Sequence, residues 1–363
     1  MKIVEIFGMK AAPRGCYIED AFSLKNSKAM KGLLSISIIM HHAYLILHSF
    51  KNYNGALQIF EHVGVIVVGF FFFCSGYGLI TSLHKKENYL QGFIKKRFLT
   101  VLVAFFICNY AYMITTLLMG TKYAMDDLFY AFFGLKLLNS QMWFAVEIMI
   151  LYIFFYLVFR FIKQEKVAYT VMTCLVVGMM VGSLFLGHDH NTYGISNWFH
   201  GEWWYNTSFL FMIGMFVARF KTKIVTIIKN NYLLWLGLSV VGCILLGSYT
   251  NHLLKYKGYW VETELYHGFL EKFEALAFQL PMVVCCVAVI LLVMMKVGFY
   301  NKALVFLGKL SFEIILINGV FSNLFLGLSS YSVTLYVALI ILSTILAAML
   351  IYRIKLWVLD RKE

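Results

Sequence analysis

The chain has 363 residues, of which 61% are hydrophobic, 18% aromatic and only 13% charged, with a mean hydropathy of +0.78. A soluble domain carries about 45 to 50% apolar and about 25% charged residues, so the composition excludes a soluble module and implies an all-α, polytopic membrane protein. The formal charge of +13 would suit a nucleic-acid partner in a soluble chain, but in a membrane chain its meaning depends on where the basic residues fall relative to the spans.

Residues 1–30 are polar and basic and read as a cytoplasmic lead-in. The first apolar run, KAMKGLLSISIIMHHAYLILHSF over 28–50, is introduced by Lys28 and Lys31 and carries His41, His42 and His48. It is too long and too histidine-rich for a signal-peptide core, and no small-residue cleavage site comes after it, so it reads as a retained span. Eleven residues separate Lys31 from His42; at about 100° each the helix turns by about 1100°, roughly 20° past three full turns, which sets both on one face. The same steps climb about 16 Å, placing His42 near the middle of a hydrocarbon core about 30 Å thick. His41 points about 100° away and shares its face with His48, so the neighbouring histidines cannot serve one substrate.

Further apolar runs lie at 62–83, 98–119, 142–162, 168–187, 204–219, 231–250, 275–295, 303–327 and 331–352, which with the first at 31–50 predicts ten spans, the sixth being the shortest. The organisation is therefore a lead-in over 1–30, a ten-helix domain over 31–352 and a short basic tail over 353–363. Of the 31 Lys and Arg residues, 25 fall on the side that bears the chain ends. The positive-inside rule places both termini in the cytoplasm, and the inner leaflet accounts for the charge without nucleic acid. Outer segments longer than turns lie at 120–141, where DLFYAFFGLKLL suits an interfacial amphipathic helix, at 188–203, and at 251–274, with Glu262, Glu264, Glu271 and Glu274. The cytoplasmic loops are too short for a catalytic domain. With Pro13 and Pro281 the only prolines, the paired broken helices of many transporters are not visible. The seven cysteines form no CxxC pair, and six of them lie in apolar runs, which argues against a disulfide framework or zinc ribbon.

Polar residues at membrane depth are functional candidates. His42, desolvated and neutral, would accept a proton; the bland alternative is a histidine bonded to a neighbouring helix. Glu147, in MWFAVEIMILYIFF, lies about 7 Å into the core and needs a partner there; by depth His42 is the expected one, although an Arg or Tyr of another span would also serve. Lys309 and Glu313, four apart, read as an ion pair within one helix. Gly69 and Gly76 share a face in VGVIVVGFFFFCSGYGL and read as helix-packing positions. Lys95, Lys96 and Arg97 at the mouth of the third span read as topology anchors or as a phosphate grip. His188, Asp189, His190 and His200 fit no common zinc spacing, so no metal is expected, and Trp198, Trp203 and Trp204 suit an interfacial aromatic belt.

The run KGLLSISIIMHH from Lys31 to His42 resembles the first-span signature of the integral-membrane acyltransferase 3 family, a basic residue followed eleven later by histidine. GFFFFCSGYG from Gly69 resembles that family's aromatic stretch ending in Ser-Gly, FIKKR over 93–97 its basic segment, QMWF over 141–144 its span start around Trp, and LGKLSFEIILI from Leu307 its late Leu-Gly-x-x-Ser span. The order of these motifs covers nearly the whole chain. Departures are Lys31 where Arg is frequent, no second Arg near Thr100, Glu147 four rather than five residues after Trp143, and Ile315 and Asn318 where Tyr and His are frequent. The resemblance implies a membrane O-acyltransferase of the bacterial plasma membrane that moves a short acyl group, most simply acetyl, from cytoplasmic acyl-CoA to a hydroxyl of a cell-surface polysaccharide or lipid-linked glycan, with no permanently bound cofactor. It carries over best at His42, then at Arg97 and Lys31; depth and charge make His42 the catalytic base, with Glu147 orienting or balancing it, and substrate contact is expected of Lys31, Arg97, Lys96, Ser75, Gly76 and Trp143. The rival readings are a transporter using the histidines as a proton relay and a non-enzymatic scaffold.

Overall fold

A computed structural model describes residues 9–13, 15–18, 21–53, 55–186, 206–256 and 269–360, with backbone alone for 255 and 256. Twelve helices fill these residues: α1 Leu24–Lys51, α2 Val63–Lys85, α3 Leu99–Leu118, α4 Met125–Phe132, α5 Trp143–Phe161, α6 Glu165–Leu184, α7 Phe209–Arg219, α8 Lys221–Asn230, α9 Tyr232–Tyr256, α10 Phe269–Lys296, α11 Lys302–Leu324 and α12 Val333–Val358. Among the described residues nine apolar segments are long enough to cross a membrane, and α7 is a shorter apolar helix standing where the sixth and shortest span is expected. The protein is a multi-pass membrane bundle. His188, Asp189, His190, His200, the three tryptophans, Glu262 and Glu264 lie outside the described residues.

Two boundaries move for local reasons. α1 begins at Leu24 rather than near 31 because the Ser23 side chain caps it, accepting from the Asn26 amide and satisfying a donor that a helix start leaves orphaned. It ends at Asn52 in the left-handed conformation, φ 49°, which Asn tolerates better than most residues. α12 runs to Val358, six residues past the expected end, because Lys355 is buried in an ion pair with Glu313. That corrects the expected pairing of Glu313 with Lys309, whose side chain is exposed at the start of α11. The lead-in is also tied down: β1 (Met9–Ala11) pairs antiparallel with β2 (Val297–Phe299), and the Tyr17 hydroxyl donates to the Lys229 carbonyl at 3.0 Å.

Two glycine crossings draw the bundle together. A Cβ on Gly32 of α1 would collide with the Leu304 carbonyl, and one on Gly308 of α11 with the Lys28 carbonyl. Only glycine allows that approach, and the small-residue contact replaces the hydrophobic drive that helices in lipid lack. Gly76 of α2 and Gly214 of α7 meet in the same way through the Phe211 and Phe73 carbonyls. Large apolar side chains of α9, such as Leu233, Leu238 and Leu245, remain exposed, as expected of a helix that faces lipid. A short helix, α4, lies within the 120–141 segment, and its first-turn Asp127 pairs with Lys136 beyond its C-terminal end, 2.8 Å apart.

Candidate active site

The basic end of the bundle gathers residues from four elements. Lys31 on α1 interacts electrostatically with Arg97 and with Cys74 of α2. Arg97 sits in a π-turn over Ile94–Phe98 that leads into α3. Such a turn inserts an extra residue and rotates the side chains beyond it, and here it leaves Lys95 and Lys96 exposed while Arg97 turns inward. The Arg97 Nε donates to the Tyr89 hydroxyl at 3.1 Å, and Arg97 also interacts with Tyr152 of α5. The Tyr152 hydroxyl lies 2.9 Å from the Ser75 hydroxyl. Among the described residues no carboxylate pairs with Lys31 or Arg97. Two inward cations thus lie near tyrosine and serine hydroxyls with no carboxylate partner among the described residues, an arrangement suited to an anion.

His42 is buried midway along α1, with its Nδ1 2.8 Å from the Asn318 Oδ1 of α11. The crossing glycines set this meeting. Gly32 and Gly308 differ in number by the same 276 as His42 and Asn318, so the parallel helices keep one register from the crossing to the histidine. His41 points elsewhere, its Nδ1 2.8 Å from the Phe60 carbonyl, and His48 has its Nδ1 3.1 Å from the Tyr53 carbonyl. The expected divergence of the two neighbouring histidines is what α1 adopts.

Glu147 departs from expectation. It is fully buried on α5, but its carboxyl does not meet His42; its polar neighbour is Ser208 beside α7. Depth alone does not fix a partner, and rotation about the α5 axis turns Glu147 toward α7 instead. Gly76 serves the α2–α7 crossing. Trp143 opens α5 with its ring 6.4 Å from that of Phe72, in the half of the bundle away from the basic end. The structure therefore joins Lys31, Arg97 and Ser75, sets His42 above them, and leaves Lys96, Gly76, Trp143 and Glu147 outside that group. Tyr89 and Tyr152 are site residues that the sequence does not single out, and Asn318 enters it only as a departure from the family pattern; the equal spacing of Gly32 to His42 and of Gly308 to Asn318 is the signal that points to its meeting with His42.

The acyltransferase-domain model of the acyltransferase 3 family matches residues 25–353. The chain belongs to this family. Comparison with curated proteins and with solved structures finds no match. As an acyltransferase 3 protein it is a membrane acyltransferase, and its matched region begins within one residue of α1 and ends within α12, so the family domain and the helical bundle coincide.

Proposed function

We propose that this acyltransferase moves a short acyl group, acetyl in the simplest case, from acyl-CoA to a hydroxyl of a cell-surface polysaccharide or lipid-linked glycan. The observation that carries the donor assignment is the pair Lys31 and Arg97, turned inward without a carboxylate partner among the described residues, with Tyr89 on Arg97. Phosphates of CoA supply the missing negative charge, and the guanidinium offers a planar fork for them. The basic end faces the cytoplasm of a bacterial plasma membrane, where acyl-CoA is made and the anionic leaflet attracts Lys and Arg.

From the basic end the acyl arm reaches along α1 to His42, about 16 Å at about 1.5 Å per residue. The His42 Nδ1 is engaged by Asn318, so the free Nε2 takes the proton of the acceptor hydroxyl as its oxygen attacks the thioester carbonyl. The C–O bond forms, the C–S bond breaks, and the imidazolium returns its proton to the departing CoA thiolate. Glu147, away from His42, takes no part in that proton transfer. The glycan hydroxyl arrives from the opposite half of the bundle. Mass spectrometry of surface glycans from a strain lacking the protein tests this reading: loss of an ester-linked acetyl is expected, and an unchanged acylation pattern contradicts it.

A further inference from the structure

We infer that Asn318 is the positioning residue that fixes the tautomer of His42 and thereby makes Nε2 the base. This rests on His42 being the base in the proposed transfer. The Asn318 amide is held from two directions: its Nδ2 donates to the Ile315 carbonyl at 2.7 Å and to the Ile314 carbonyl at 3.2 Å. Rotating the amide by half a turn would bring its oxygen against those two carbonyl oxygens, acceptor facing acceptor, and would leave the buried Nδ2 facing the ring. Oδ1 therefore faces His42, 2.8 Å from Nδ1, and an amide oxygen only accepts.

The His42 Nδ1 must then carry the hydrogen. In a neutral imidazole one nitrogen donates and the other accepts, so a hydrogen on Nδ1 leaves the lone pair on Nε2. The logic is that of the third member of a hydrolase triad, with a neutral amide in place of a carboxylate. The neutral partner suits its place, since both residues are buried, Asn318 at 0% exposure, and an unpaired carboxylate there would carry a heavy desolvation cost. Asn318 is itself secured: the Ser322 hydroxyl donates to the Asn318 carbonyl at 3.0 Å, and the Tyr336 hydroxyl of α12 donates to the Ser322 carbonyl at 3.0 Å. The α1–α11 glycine crossing fixes the approach of the whole pair.

The test is a nitrogen-15 spectrum of histidine-labelled protein in lipid nanodiscs, with the His42 signals assigned by their loss in His42→Gln, alongside steady-state acyl transfer. Wild type should show a protonated Nδ1 and a bare Nε2. Asn318→Leu removes the acceptor at similar volume; it should lose the Nδ1–H form and about 10- to 100-fold in kcat, a part of the general-base contribution, with the KM for acetyl-CoA unchanged. Asn318→Asp, which as the acid keeps both an oxygen for Nδ1 and a donor for Ile315, should retain the Nδ1–H signal and kcat within about tenfold of wild type. A wild-type His42 protonated on Nε2 would overturn the inference, as would an Asn318→Leu protein with unchanged tautomer and turnover. The expected spectra without any acyl transfer by wild type would support the positioning and remove the acyltransfer reading instead.

Discussion

Lys31 and Arg97 differ in what they offer an anion, and that difference is measurable. Arg97 is oriented by Tyr89 at 3.1 Å and presents a fixed fork, whereas Lys31 is a point charge on a flexible stem. Contacts to phosphates persist from ground state to transition state, so replacing either by Gln should raise the KM for acyl-CoA several-fold with little change in kcat. Arg97→Lys should be nearly as poor as Arg97→Gln; an unchanged KM in all three would return the residues to topology signals. The Glu313–Lys355 pair belongs to a different class, holding α11 to α12 at 0% and 6% exposure. Lys355→Met would strand a buried carboxylate at a cost of about 3 to 5 kcal/mol, and a lowered melting temperature in detergent checks it; a double change with Glu313→Leu should recover most of the loss. The sequence makes a buried Glu at 313 plain, but its partner comes from helix packing forty-two residues away, which spacing along one helix cannot reveal. The same holds for Glu147, where depth is legible and azimuth is not.

At the scale of elements, the α1–α11 crossing carries the site. Gly32 and Gly308 let the two helices touch backbone to backbone, and the shared register then delivers Asn318 to His42 ten residues further on. Gly308→Leu touches neither His42 nor Asn318 yet forces α11 away from Lys28; acyl transfer should fall by at least about tenfold with the protein still inserted, since misplacement of about 1 Å can cost far more. A Gly308→Leu enzyme with wild-type turnover would show that the crossing does not set the site. Hydropathy gives the spans because each must be apolar for about 20 residues, and α1, α2, α3, α5, α6, α9, α10, α11 and α12 all stand where apolar runs predict them. The π-turn at Ile94–Phe98 leaves no signature in hydropathy. Its consequence, Arg97 inward and Lys96 outward, is therefore visible only in three dimensions, and the three adjacent basic residues look equivalent in the sequence.

For the whole molecule, the family domain over 25–353 and the bundle are one unit, and the basic residues that cluster at one end give it direction. A cysteine placed at position 122, between α3 and α4, should react with an impermeant thiol reagent from outside intact cells, and one at position 86, after α2, should not; the reverse pattern would move the donor site to the wrong side of the membrane. The central claim is that His42, and not its neighbour, performs acyl transfer from a donor held at the basic end. The most direct measurement uses purified protein in proteoliposomes, given radiolabelled acetyl-CoA and a lipid-linked glycan extract, and compares wild type with His42→Gln and His41→Gln. Both changes alter α1 at nearly the same depth, so effects on insertion cancel. Label should pass to the glycan with wild type and with His41→Gln, and fall by about 100- to 10,000-fold with His42→Gln, the usual contribution of a general base; near-normal transfer by His42→Gln would contradict the account.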